Sequence, residues 1–215
     1  MSEPILVAAR DVAIRRGGRD VILDATFALG SGTWLLRGAN GSGKSTLLRV
    51  LAGVGAAHRG TVEIAGWDLH RAPVEARRRL GFLPQSAEIF GWLTVREFLE
   101  TVAALRSTSV DEPLERARRL IDDRCGDRRM DTLSAGQRRK VCLCAALTGR
   151  PDVLLLDEPE AALDTAALDD LAIELGTLAE SGHAIVIASH APVAALSARG
   201  TLVCSGGRVS VTESV

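Results

Sequence analysis

Gly38-Ala39-Asn40-Gly41-Ser42-Gly43-Lys44-Ser45-Thr46 is the stretch from which the fold is read. It satisfies G-x-x-x-x-G-K-[ST], follows the short apolar run Trp34-Leu35-Leu36, and leads into a helix expected to begin near Ser45. Glycines let a backbone wrap closely around phosphate oxygens, and N–H groups at a helix start favour negative charge. Lys44 is then suited to reach the β- and γ-phosphates of a nucleotide, and the Ser45 hydroxyl to ligate Mg²⁺. A glycine-rich turn capping a helix would give a similar pattern. Lysine, however, occurs only at positions 44 and 140, while arginine supplies the other positive charges. A compact ammonium placed where the pattern needs one is hard to assign to drift, because arginine substitutes for it poorly.

Moving outward, Val153-Leu154-Leu155-Leu156-Asp157-Glu158 is a continuous apolar strand ending in two carboxylates. Such a strand is buried on both faces of a parallel sheet and ends at the edge where the phosphate loop also lies. Asp157 is suited to hold Mg²⁺, directly or through water, and Glu158 to polarise an attacking water. Acidic residues also end many strands where the chain must turn, so the pair gains weight only beside the loop.

The remaining pattern fits an α/β fold. Residues 6–14 and 21–29 alternate around Gly17-Gly18-Arg19-Asp20 as an antiparallel hairpin. Residues 61–65, 81–83 and 184–188 read as strands, residues 73–80 as a short helix, and Gly206-Gly207 as the turn of a last hairpin. A short helix is expected between residue 188 and that hairpin. Residues 86–148 are helical in character, with capping-box spacing at Thr94-Val95-Arg96-Glu97 and a helix over about 112–122. The expectation is one domain: a parallel-sheet core with an antiparallel β subdomain (residues 1–85 and 149–215) and an inserted helical lobe (residues 86–148).

Composition sets bounds. The chain has 215 residues, 47% hydrophobic, with net charge −1. That charge gives no global field for nucleic acid or anionic lipid, and no nucleic-acid partner is expected. Arg77-Arg78-Arg79 and Arg138-Arg139-Lys140 read as solvated helix faces. No apolar run reaches membrane-spanning length, and Met1-Ser2-Glu3-Pro4 lacks a signal-peptide layout, so a cytoplasmic protein is expected. The four cysteines lack metal-ligand spacing and read as buried small side chains, with Cys142 and Cys144 on different helix faces.

Leu133-Ser134-Ala135-Gly136-Gln137 resembles the LSGGQ signature of ABC ATPases with one glycine replaced by alanine. Gln85 resembles the family's Q-loop, Ala162-Leu163-Asp164 its D-loop and His190 its switch histidine, so six motifs occur in family order across nearly the whole chain. The resemblance implies a P-loop NTPase fold and an ATPase using ATP and Mg²⁺. Glu158, His190 and Gln85 would act in hydrolysis, and Gln85 would also contact the metal. The resemblance further implies a head-to-tail dimer, homomeric or heteromeric, in which Ser134, Gly136, Gln137 and Asp164 serve the partner's nucleotide. Ser134 and Gln137 have the spacing of a capping box, and the helix they open would be a second anion-binding end.

In such transporters the region after Gln85 receives a membrane permease subunit. The apolar Ile89-Phe90-Gly91-Trp92-Leu93 fits an exposed docking groove better than lobe core. Localisation at the inner membrane face through that partner follows. The family usually stacks an aromatic, often Tyr, on adenine; this chain has no Tyr and reads Ile14-Arg15-Arg16-Gly17 there. A guanidinium can stack on a base, which makes Arg15 and Arg16 candidates and leaves guanine open. The short build resembles haem-exporter ATPases of cytochrome c maturation and small drug-exporter ATPases. Iron–sulfur assembly ATPases remain an alternative.

Overall fold

The computed structural model describes residues 3–86, 90–189 and 197–213. One ten-stranded sheet runs through it in the order β5-β4-β1-β2-β10-β9-β3-β8-β7-β6. The strands are β1 (Val7–Arg16), β2 (Arg19–Leu29), β3 (Gly32–Arg37), β4 (Arg59–Ile64), β5 (Trp67–Asp68), β6 (Leu80–Leu83), β7 (Val153–Asp157), β8 (Ala184–Ala188), β9 (Ala198–Ser205) and β10 (Arg208–Glu213). The helices are α1 (Lys44–Leu51), α2 (Pro73–Arg78), α3 (Val95–Leu105), α4 (Asp111–Leu120), α5 (Ala135–Leu147) and α6 (Thr165–Glu180).

The β1–β2 turn is tighter than the sequence suggested. Arg19 and Asp20 pair within the ladder, leaving Gly17 and Gly18 at φ +56° and +76°. Two successive positive φ values define the hairpin turn whose twist matches its strands, and only glycine adopts them without cost. The helix expected over residues 73–80 stops at Arg78, because Leu80 already pairs with Val153 in the sheet.

β3, β8, β7 and β6 are mutually parallel, and β9 lies parallel to β3 on its other side. Every residue of β7 and β8 is buried, as expected for strands covered on both faces. Each leucine held there contributes about 2 kcal/mol of hydrophobic stabilisation. β1, β2, β4 and β5 form the antiparallel part, and β10 joins it to the rest by pairing with β2 and with β9. The edge strand β5 carries too few residues to leave a sequence signal.

Three apolar cores result. One lies around α1 and the face of the sheet that includes Trp34 and Leu36, one packs α5 and α6 on the opposite face, and one fills the space among α3, α4 and α5. α5 takes part in two of them. Residues 141–147 are all buried, which on a helix requires cover on every side. Cys142 faces the sheet and Cys144 the helical lobe, as their spacing indicated.

Arginines also cross between the helices and the sheet. Arg106 donates to the carbonyls of Leu80 (2.8 Å), Ala146 (3.1 Å) and Thr148. Arg116 on α4 pairs with Glu112 on its own helix and with Glu174 on α6. The Arg77-Arg78-Arg79 run is exposed, as read. Arg138-Arg139-Lys140 is not a solvated face. Arg138 donates to the Leu133 carbonyl (2.6 Å), Lys140 to that of Leu120 (3.0 Å), and Arg139 reaches into the sheet edge. Helical spacing shows which way a side chain starts, not what a long one reaches across a domain boundary.

Candidate active site

β3 delivers the chain to the glycine-rich loop at its carboxyl end, and three glycines there are structural necessities. Gly38, Gly41 and Gly43 lie at φ +152°, +77° and +103°. A Cβ on Gly38 would stand 2.4 Å from the Cys204 carbonyl oxygen, and one on Gly43 would stand 2.9 Å from Ile22 Cδ1. The loop can close only with hydrogen at both positions.

α1 starts at Lys44 with no side-chain cap and no acidic residue in its first turn. Its opening N–H groups are therefore left for an external acceptor. Lys44 is buried, and its ammonium donates to the carbonyls of Gly38 (2.8 Å) and Ala39 (3.2 Å). Ser42 Oγ is buried and has no hydrogen-bond partner among the described atoms. Orphaned amides, an orphaned hydroxyl and a folded-back ammonium are the surroundings a phosphate chain would satisfy.

β7 ends beside this loop. The Asp157 carboxyl is buried and hydrogen-bonds the Ser45 hydroxyl. Burial pushes its pKa above the usual carboxylate range, with the Ser45 bond opposing that rise and the Glu158 charge adding to it. A neighbouring divalent cation would offset the burial penalty. Asp157, Ser45 and the Gln85 amide are hard oxygen donors of the kind Mg²⁺ takes, with phosphate oxygens and water completing its shell. These residues fit the metal that the motifs imply.

The cleft in front of the loop measures about 520 Å³ and is lined by Asn40, Gly41, Gly43, Lys44, Ser45, Thr46, Gln85 and Glu158, together with Arg16 and Val21 of the first hairpin. Arg15, the other candidate for contact with a base, forms an ion pair with Asp20 at 2.5 Å and is not among the lining residues. The sequence left Arg15 and Arg16 equivalent; strand alternation separates them.

The other candidates lie elsewhere. Ser134 and Gln137 form a reciprocal capping box at the start of α5, with bonds of 3.1 and 3.2 Å. Ser134 and Ala135 are exposed, and a Cβ on Gly136 would meet nothing nearer than Ser134 Oγ at 4.0 Å. Asp164 caps α6, accepting from the Ala167 N–H at 3.0 Å, and borders a different cleft, between α4, α5 and α6. None of these residues lines the Lys44 cleft. His190 and the short helix expected after β8 lie outside the described residues. So does Ile89; its neighbours Phe90 and Trp92 are 60% and 67% exposed, with ring centroids 5.1 Å apart. Sequence reasoning missed Arg139, whose only signal was its place in a basic run.

The family model described as ABC transporter matches residues 23–161. The cytochrome c biogenesis ATP-binding export protein CcmA of Alkalilimnicola ehrlichii is 39% identical over 188 residues, covering 85% of this chain and 79% of that protein. The lipopolysaccharide export system ATP-binding protein LptB of Escherichia coli K12 is 32% identical over 192 residues, covering 86% and 80%. The ABC transporter ced-7 of Caenorhabditis elegans is 37% identical over 141 residues, but the match covers only 8% of its length.

Among solved structures, an ATP binding subunit of an ABC transporter superposes with TM-score 0.86 at 25% identity, covering 97% of this chain and 90% of that one. The dimeric cassette MJ0796 shares the fold at TM-score 0.83 and 21% identity, covering 97% and 98%. With the loop, the acidic strand and the signature helix in place, the chain belongs to the ABC transporter family and is an ATPase cassette of it.

Proposed function

We propose that two copies of this cassette, or one copy and a close relative, pair head to tail and drive export through a separate membrane permease. The observation that carries this reading is the separation of the two anion-binding helix starts. The α1 start lines the Lys44 cleft, whereas the α5 start, with Ser134 and Ala135 exposed and Gly136 half-buried, is not among the residues that line that cleft. Each half-site is completed when a second cassette brings its α5 start to the first cassette's nucleotide.

In this reading residues 38–46 hold the triphosphate, with Lys44 on the β- and γ-phosphates. Ser45, Asp157 and Gln85 hold Mg²⁺, which when bound neutralises phosphate charge. Glu158 polarises the attacking water, and His190 takes the switch role its motif implies. Ser134, Gly136, Gln137 and Asp164 act on the partner's nucleotide. Arg16, which lines the cleft, stacks on the base in place of the usual aromatic.

Residues 1–85 and 149–215 act as the catalytic core, and residues 86–148 as the lobe that meets the permease. Phe90 and Trp92 form the exposed apolar contact for that partner. Among the described residues no helix is long and apolar enough to cross a membrane, so attachment to the inner membrane face depends on the permease. The relatives named for export support an exporter over an iron–sulfur assembly ATPase, and the CcmA relative, named for cytochrome c biogenesis, is in keeping with the resemblance of the short build to haem-exporter ATPases.

The test is Glu158→Gln. Adding MgATP should double the mass of this variant by light scattering, because ATP binds and is not hydrolysed. A variant that stays monomeric with ATP, while the native chain hydrolyses it, removes the sandwich.

A further inference from the structure

Arg139, on the second turn of α5, directs its guanidinium at four main-chain carbonyls. Nη1 donates to Pro84 (3.1 Å) and Gln85, and Nη2 to Asp157 and Glu158 (2.7 Å). Among the described residues its Nε, which is buried, has no hydrogen-bond partner. An arginine cannot shed its proton, so burying it costs energy that only these charge-assisted bonds offset. The rigid fork spans two peptide segments, one ending in Gln85 and one holding Asp157-Glu158, which a flexible single-point cation could not bridge.

The backbone of Glu158 supplies the independent observation. It lies at φ +51°, ψ +55°, the left-handed region. That conformation costs a non-glycine residue about 1–3 kcal/mol and persists only where its surroundings impose it. Pro159 adds to the conflict, because a residue before proline is steered toward extended backbone. The strained residue is held on both sides. Its N–H donates to the Ala188 carbonyl at 2.7 Å, and its own carbonyl accepts from Arg139 at 2.7 Å and from the Ala161 N–H of the following turn at 3.1 Å. One pin comes from the sheet, one from the local turn and one from the helical lobe. Together they fix φ and ψ at Glu158, and so the direction in which its Cα–Cβ bond points.

We propose that Arg139 is a positioning residue that holds Glu158 in its left-handed conformation, so that the carboxylate is aimed at the cleft only while α5 is seated against the sheet edge. Arg139 follows Ser134 on the same helix, so contact of the α5 start with a partner's nucleotide bears directly on the aim of Glu158. This rests on Glu158 being the carboxylate that polarises water.

The test uses the purified 215-residue chain, with Arg139→Met and Arg139→Lys made alone and with Glu158→Gln. Measured are kcat and KM for MgATP, equilibrium binding of ATPγS, and Tm. Arg139→Met should lower kcat on the order of 10- to 100-fold, the scale of a misplaced catalytic group, with ATPγS affinity within about twofold of native. Arg139→Lys should recover part of the loss, since an ammonium reaches fewer of the four carbonyls. Combined with Glu158→Gln, Arg139→Met should cause no further loss, because its effect runs through a carboxylate already removed.

Native-like kcat in Arg139→Met, or losses that multiply in the double variant, overturn the proposal. If Arg139→Met does not fold, Arg139→Lys carried through the same cycle decides. Native hydrolysis by Glu158→Gln alone would instead remove the catalytic role of Glu158, and this inference with it.

Discussion

The Lys44 ammonium donates to the Gly38 carbonyl at 2.8 Å, so the chain's conspicuous lysine is held by the loop that it is meant to serve. Its carbonyl partners carry no formal charge, and a phosphate chain would outbid them electrostatically. Lys44→Ala should therefore weaken MgATP binding on the order of 10- to 100-fold, as expected for one charge-assisted contact. Titration with a fluorescent ATP analogue checks this, and unchanged affinity would remove Lys44 from the phosphate site.

Two glycines should respond oppositely to the same change. Gly38→Ala places a Cβ 2.4 Å from a main-chain oxygen of β9 and should cost about 1–3 kcal/mol of stability along with nucleotide binding. Gly136→Ala meets nothing nearer than 4.0 Å within its own chain and favours the helix, so urea unfolding should show a gain of up to about 1 kcal/mol and the defect should appear only in ATP-driven dimer formation. Equal destabilisation by both would mean that the α5 start is packed rather than presented to a partner.

Cys144 offers a pH test of the core. Burial pushes its thiol, and that of Cys142, up to about 12. The folded state thus favours the neutral thiol. The resulting stability is fully present below the unfolded thiol pKa and is lost as pH rises through the folded value, between about 9 and 12. From pH 8 to 10 the native chain should lose about 1.4 kcal/mol more than Cys144→Ala in urea unfolding. Parallel slopes would place this thiol in contact with water.

Trp92 stands in solvent beside Phe90, outside the three cores. Trp92→Ala should leave Tm within about 2 °C of native, as surface changes do, and nucleotide affinity intact. Co-purification with the membrane partner should fall. A large drop in Tm would instead make Trp92 part of the lobe's packing.

The features legible in the sequence are those written in neighbouring residues. The capping boxes at Thr94 and Ser134 form as their three-residue spacing required, since partner and acceptor lie within one turn. The apolar run before Asp157, closed off after four residues by the two carboxylates and preceded by Pro151, is of strand and not helix length, and it became a strand covered on both faces. The two-residue β5 and the pairing of β10 with β2 left no such trace. Neither is specified by local pattern; both follow from where the rest of the sheet comes to lie.

Sequence alone thus determined the phosphate loop, the acidic strand end and the order of family motifs, because each is a local arrangement of backbone geometry and charge. Tertiary structure decided that Arg16 and not Arg15 faces the cleft, that α5 is shared by two cores, and that Arg139 grips the carbonyl of a left-handed Glu158. These depend on chain segments far apart in sequence meeting at a fixed distance. A long guanidinium can span such a gap, but no spacing rule along one helix states what waits on the other side.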